Sequence, residues 1–429
     1  MGIGLGFEKI DRDLYVDTLV GGTFELGPVH LGVQAPLRWR VYNLDDKKPV
    51  FQLRKQDWDE VSDYFRILRF IEYGAPKDTF YGRLGTLDGT TIGHGTIMNW
   101  YYNTIDVNHW ETGVRLNLNL NPGGIETVLN NVASPHLMGG RIYVRPWYFI
   151  NRCSLLYRLA VGFTALVDRD APYTFSPTAN SDVEKGTINA PGRPLGIYGA
   201  DIEYPIIASK YFDITPYVDN NFMGGFSASD GYGFHGGVLM GMHPPVVDIQ
   251  ARIEYRYVGP HYLPGYFDTL YEINRYYYAT DKHGSPVTKL QSLDSSLDPD
   301  TGLPKAGRSG AYGELVVSVG KYFSLMAAYE DYQGPNNSSL QLRVLMPEIV
   351  GIRLGAYYVK RNFEGFSEIF SRDGALGILE VRYNVYSFIS LIAQLSRQWR
   401  VDSDPTSPNY GNYTNSDSIN FGIQFGWTF

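Results

Sequence analysis

Several stretches of the chain alternate apolar and polar residues with a period of two. Between positions 29 and 41, Val29, Leu31, Val33, Ala35, Leu37, Trp39 and Val41 take one face, and His30, Gly32, Gln34, Pro36, Arg38 and Arg40 the other. Val114, Leu116, Leu118 and Leu120 oppose Arg115, Asn117 and Asn119, and Val247, Ile249, Ala251, Ile253, Tyr255 and Tyr257 oppose Asp248, Gln250, Arg252, Glu254 and Arg256. The last residues do the same, with Ile419, Phe421, Ile423, Phe425, Trp427 and Phe429 against Asn420, Gly422, Gln424, Gly426 and Thr428. A 180° repeat of this kind describes strands with one apolar and one polar face. The segments run about 10–13 residues, longer than the strands of soluble sheets and matched to the 9–11 residues a tilted strand needs to cross a bilayer. Aromatics stand near the ends of the apolar faces (Trp39, Tyr257, Trp427, Phe429), where a transmembrane barrel carries its girdles. A soluble sandwich of unusually long strands is the competing reading.

The connections bear on that choice. Short links at 26–28, 74–77, 121–123, 208–210, 243–245, 320–321, 347–349 and 384–387 alternate with longer ones near 42–62, 88–109, 168–194, 221–230, 258–310, 331–338, 362–373 and 401–416. Short turns at one end and long loops at the other are the habit of outer-membrane barrels. The pattern predicts strands near 3–9, 14–26, 29–41, 63–73, 78–87, 110–120, 123–131, 138–148, 155–167 and 195–206. It continues with 210–220, 231–242, 246–257, 311–320, 322–331, 339–347, 350–361, 374–384, 387–399 and 418–429. The expected fold is therefore all-β: a transmembrane antiparallel up-and-down β-barrel of about 18–20 strands, 20 by direct count, even as closure with both termini on one side requires. Residues 3–9 and the segment from Gly123 carry the weakest pattern, so eighteen strands is the alternative. No linker divides the chain, and residues 1–429 read as a single domain.

Composition narrows the classes. With 37 Lys+Arg against 45 Asp+Glu and a formal net charge of −8, the chain lacks the basic excess of a nucleic-acid binder. Apolar residues at 44% exclude a disordered chain, and the single Cys153 excludes an internal disulfide and a Cys-based zinc site. No apolar run is long enough for a membrane-spanning helix. Met1-Gly2-Ile3 does not open a signal peptide, which leaves a soluble cytoplasmic chain or a mature exported one whose leader was removed.

The alternating aromatic last strand (Phe421, Phe425, Trp427, Phe429) and the alternation of link lengths carry a resemblance. The chain resembles Gram-negative outer-membrane β-barrels of the porin kind, over essentially its full length. The resemblance implies location in the cell outer membrane in mature form, contact with outer-membrane lipid, and Phe429 as part of the signal read by the barrel-insertion machinery. The segment Phe80-Tyr81-Gly82-Arg83-Leu84-Gly85 is similar to the strand before an infolded loop in substrate-type porins.

The polar faces are where function is expected, because side chains alone do not fill a barrel of this size. Strand by strand, Arg38, Arg40, Arg83, Arg115, Arg141, Arg145 and Arg158 fall on the inward face as a basic wall. Asp201, Glu203, Asp213 and Asp248 form an acidic one. Two such walls would set a transverse field across a pore and select its solutes. The plainer reading is ion pairing between adjacent strands, as for Arg252, Glu254 and Arg256, and for Glu380 and Arg382. The link 88–109 is the constriction candidate: glycines flank His94, and Trp100, Tyr101 and Tyr102 are too aromatic for a freely solvated loop. The link 258–310 holds Tyr266, Phe267, Tyr271, Tyr276, Tyr277 and Tyr278, expected either to pack on the barrel rim or to offer a partner-binding or sugar-stacking surface.

No catalytic signature emerges. Gly231-Tyr232-Gly233-Phe234-His235-Gly236 matches G-x-G-x-x-G but lies within an alternating strand, not between a strand and a helix. Asp298-Pro299-Asp300-Thr301-Gly302 lacks the remaining spacing of a calcium loop. The expectation is a channel, not an enzyme, passing small hydrophilic solutes by diffusion through a charged constriction, with no cofactor, metal or nucleic acid. A non-conducting structural barrel, or a surface receptor or adhesin using 258–310, is the second reading and a barrel-embedded hydrolase the third. Solute identity and oligomeric state carry no sequence signal.

Overall fold

The computed structural model describes residues 2–426 apart from 11–12, 44–46, 55–56, 59–60, 105–110, 153, 175–180, 183–186, 189, 225–230, 277, 281–285, 295–304, 321, 336, 350–351, 372–374, 387, 402–407 and 409–412. Trp427 and Phe429, the end of the expected insertion signal, lie outside the described residues, as do Cys153 and the 298–302 segment.

Twenty wall strands run in chain order. They are β1 (Gly2–Ile10), β2 (Asp13–Leu26), β3 (Val29–Asn43), β4 (Leu68–Tyr73), β5 (Phe80–Gly85), β6 (Gly113–Leu120), β7 (Gly123–Leu129), β8 (Leu137–Val144), β9 (Ala160–Pro172) and β10 (Gly192–Glu203). There follow β11 (Phe212–Gly224), β12 (Gly231–Met242), β13 (Val247–Val258), β14 (Arg308–Val319), β15 (Phe323–Tyr332), β16 (Ser338–Ile349), β17 (Ile352–Phe363), β18 (Ala375–Tyr386), β19 (Ile389–Val401) and β20 (Tyr413–Gly426). Each pairs antiparallel with its sequence neighbours, and β1 pairs with β20 from Gly2↔Gly426 to Phe7↔Phe421, which closes the barrel. Two short strands, Lys48–Leu53 and Ile207–Ala208, add to the sheet at its rims.

The wall is inverted relative to a soluble protein. Phe7, Ile142, Phe163, Phe222, Ile253 and Phe421, all facing outward, are each more than half exposed, while Arg141, Asp201, Asp219, Arg252 and Glu254 on the alternate positions are buried inside. Pairing of β1 with β20 leaves the sheet without a free end strand, and the apolar outer face meets hydrocarbon. Among the described residues no helix is long and apolar enough to cross a membrane.

Two departures from the expected strands have local causes. The strand expected at 63–73 starts only at Leu68, because Val61–Tyr64 is a helical turn continued by a 3₁₀ turn at Phe65–Ile67. The strands expected at 138–148 and 155–167 are shorter, β8 ending at Val144 and β9 beginning at Ala160. Pro146 has no N–H for the ladder, and the unbroken apolar run that follows has no period of two, so Trp147–Ile150 becomes a helical turn and Leu155–Arg158 a 3₁₀ turn. The literal G-x-G-x-x-G lies inside β12.

Candidate functional site

Two of the long links turn inward. After β5, Arg83 donates from Nε to the Thr86 carbonyl (2.6 Å) and from Nη2 to Asp88 (2.6 Å), which bends the chain over the lumen. The limbs of this first link pair at Thr90 and Tyr101, and its tip turns at Gly93 and Gly95, whose φ values of 57° and 80° suit glycine. The second link, between β13 and β14, lies alongside: Gly265 N donates to Thr96 O (2.8 Å), Phe267 N to Ile97 O and Asn99 N to Phe267 O (both 3.1 Å). Leu87, Ile97, Met98 and Tyr101 of the first link, Tyr262, Tyr266, Phe267 and Tyr271 of the second, and Leu137, Leu166, Leu195 and Ile197 of the wall form one dry core. Arg275 and Lys289 of the second link are held by Asp168 (3.3 Å) and Asp268 (2.9 Å).

His94 carries the polar contacts of the first link's tip. Its Nε2 lies 2.8 Å from Glu203 and its Nδ1 3.2 Å from Asp219, and its ring stacks on Tyr217 at 4.0 Å. Thr96 donates to Asp219 (2.8 Å), Gly93 N to Glu126 (2.7 Å), and Arg252 donates to the His94 carbonyl. Burial opposes protonation of the imidazole, but the hydrogen bonds and charges of Asp219 and Glu203 outweigh it and raise its pKa to about 9. An imidazolium therefore pins the link tip to β10 and β11 at neutral pH.

Trp100, Tyr101 and Tyr102 go separate ways. Tyr101 is fully buried and donates to Glu272 of the second link. Trp100 donates from Nε1 to Glu314 on β14 (3.1 Å), which also accepts from Asn99 (2.9 Å), Tyr312 (2.6 Å) and Arg252 (3.1 Å). The rings of Trp100 and Tyr102 flank Arg343 of β16, whose guanidinium lies 5.6 and 5.4 Å from their centroids. Among the described residues Arg343 has no carboxylate partner.

The basic and acidic residues meet as pairs inside the wall instead of facing each other over open water. Arg141 reaches Asp201 by two hydrogen bonds, 2.9 Å from Nε and 2.5 Å from Nη2, and stands 3.6 Å from Glu203. Arg38 pairs with Asp57 (3.1 Å), Arg40 with Asp13 (3.1 Å), and Arg83 with Glu72 (3.1 Å) as well as Asp88. Asp213 and Asp248 both hold His243, at 2.7 and 2.6 Å. Arg252 and Arg256 close on Glu254 at 3.5 and 2.5 Å, and Arg382 stands 3.8 Å from Glu380. Arg115 lies over the Tyr81 ring (5.5 Å) and donates to Thr91 O (3.4 Å). Arg145 and Arg158 are not on strands as expected: with β8 ending at Val144 and β9 starting at Ala160, both sit in the link between, at the end of the short turns, where Arg145 still lies over the inward Tyr143 ring (5.3 Å) and Arg158 is at the rim.

Two groups bring a histidine and carboxylates within metal-ligand reach: His94 with Asp201 and Asp219, and Glu111 with His136 and Glu272. Their side chains already bond to protein groups. Asp201 is taken by Arg141 and Asp219 by His94 and Thr96. In the second group Glu111 accepts from Asn130 (2.6 Å), and Glu272 accepts from Tyr101, His136 and Arg275. Burial beside the charge of Glu272 pushes the Glu111 carboxyl up to about 7. The first group ties a link tip to the wall, and the second ties three links to one another.

Asp219 and Arg343 were within reach of sequence reasoning, since alternation along 212–224 and 338–349 puts them inside with Tyr217 and Gln341. The Glu111–His136–Glu272 network was not, because its members come from three links with no period of their own.

A closed antiparallel wall with apolar residues outside, charges inside and links folded into the lumen defines a transmembrane β-barrel of the outer-membrane type. No family model matches the chain, and no curated protein does. Among solved structures it is similar to the siderophore receptor PirA from Acinetobacter baumannii (10% identity, 99% of this chain and 80% of that one, TM-score 0.34). It is similar too to OccK8 (OprE) of Pseudomonas aeruginosa (10%, 99% and 95%, TM-score 0.30). A third is Wzi of Escherichia coli, an outer membrane protein involved in group 1 capsule assembly and a carbohydrate-binding β-barrel (9%, 100% and 85%, TM-score 0.33). At these scores the function of this chain has to be read from its own residues.

Proposed function

We propose that this barrel is a narrow passive channel for small hydrophilic solutes. The two infolded links occlude the side of the lumen bounded by β7–β15, and the passage runs past Trp100, Tyr102 and Arg343 along β16–β20 and β1–β4. The carrying observation is a contrast in wetness. The inward side chains of Arg40, Arg382 and Glu380 keep 33%, 23% and 39% of their surface exposed, against 4% for Arg141 and 3% for Arg252 on the packed side; Arg38 of β3, at 4%, is covered by its own partner Asp57. Below the link tip Asp213, His243 and Asp248 are also partly exposed, as residues of a wet vestibule would be. Charged groups lining a constriction set which solutes pass.

Liposomes carrying the purified chain test this by swelling in isotonic solutions of graded uncharged sugars. Swelling with the smallest sugars that falls off sharply with size supports the channel; liposomes that do not swell with any of them count against it. A second reading, a closed receptor barrel, is favoured by the dry core that the links build in the outer half of the lumen. It expects no swelling, together with surface binding through the second link.

A further inference from the structure

The link between β8 and β9, residues 145–159, is the longest connection at the end of the short turns, the periplasmic end of such a barrel. Its apolar side chains are bare: Phe149 is 69% exposed, Ile150 75% and Leu155 85%. From Val144 to Val167 the sequence has no acidic residue but three arginines, Arg145, Arg152 and Arg158, in a chain whose net charge is −8. Neither Arg152 nor Arg158 has a carboxylate partner among the described residues.

The link does not hang away from the barrel. Arg145 donates to the Leu120 and Asn121 carbonyls (3.2 and 3.0 Å) on one side. On the other, Tyr204 donates to Leu155 O (2.9 Å) and Arg158 to Ile206 O (3.4 Å). It is thus pegged along the rim. Immediately above it, the outward residues Ile142, Val144, Val161, Phe163 and Ile202 belong to the apolar belt. Arg152 lies over the Tyr148 ring at 3.9 Å, an aromatic support that holds a guanidinium near an apolar surface.

We propose that this link is an interfacial anchor that binds anionic phospholipid of the periplasmic leaflet, its apolar side chains entering the acyl boundary and Arg152 and Arg158 meeting lipid phosphates. Guanidinium groups pair well with phosphate, and apolar residues next to cations suit the headgroup zone. The inference needs the apolar face of the barrel to meet lipid but is independent of conduction.

The test uses the full-length chain in detergent, mixed with equal phosphatidylglycerol and phosphatidylcholine, with retained lipid counted by native mass spectrometry. The wild type is expected to keep phosphatidylglycerol in preference. The double variant Arg152→Gln, Arg158→Gln, checked for folding by its heat-dependent gel mobility, should lose that preference by about tenfold. Equal retention of both lipids by the wild type, or a preference unchanged in the folded double variant, overturns the proposal. An independent reading needs no arginine variant: brominated phosphatidylglycerol should quench more tryptophan fluorescence in the wild type than in Trp147→Phe. Equal quenching, as for a surface shaped to hold a soluble periplasmic protein, contradicts it.

Discussion

Arg141 on β8 and Asp201 on β10 join hands over the top of the strand between them. They meet because β9 carries Gly162 at the crossing point, where a Cβ would stand 2.3 Å from Asp201 Oδ2. One glycine thus turns two rows of charge, two strands apart, into a bidentate buried pair, with Arg141 also 3.6 Å from the Glu203 that His94 reaches.

Gly162→Val places a branched side chain in that crossing and should break the pair. Removing the geometry of a buried ion pair costs about 3–5 kcal/mol, which urea unfolding in lipid vesicles would register. A loss under about 1 kcal/mol would mean that the pair is loosely held.

The pinning of the first link depends on pH. His94 has a folded pKa of about 9, above the ordinary 6.5, so its stabilisation is complete below about pH 6.5 and lost as pH rises through 9. The full linkage is about 3 kcal/mol by the size of the shift. Between pH 7 and 10 the wild type should lose more thermal stability in detergent than His94→Gln. Parallel losses in the two proteins would show that the imidazole is not charged at neutral pH.

The two faces of the wall should respond in opposite ways to a new charge. Phe163→Arg puts a cation on the outward face of β9 and is expected to cost about 2–4 kcal/mol in a bilayer. Gln250→Arg, inward on β13 beside Asp248, should change stability by less than about 1 kcal/mol. Equilibrium unfolding of both variants in the same vesicles makes the comparison, and equal costs would contradict the assignment of faces.

Wall, order and closure were legible because a half-buried strand writes its period directly into the sequence. Every expected strand has a counterpart, and the largest errors, at 61–67 and 145–159, fall where the alternation stops. Inward charge was equally readable for Arg38, Arg141 and Asp201. What pairs with what was not: the contact of Arg141 with Asp201 depends on Gly162, and that of His94 with Glu203 and Asp219 on a link entering from another part of the chain. The apolar content of the links hinted that they are buried, but their partners, such as Glu272 for Tyr101, are set by tertiary packing alone.

The proposed passage beside Arg343 is tested most directly by single-channel recording in planar bilayers with a salt gradient. The wild type should show small, stable current steps, and Arg343→Glu should keep the steps while moving the reversal potential toward cation preference. A folded, inserted wild type that passes no current, or a reversal potential indifferent to the charge at 343, would contradict the proposed route.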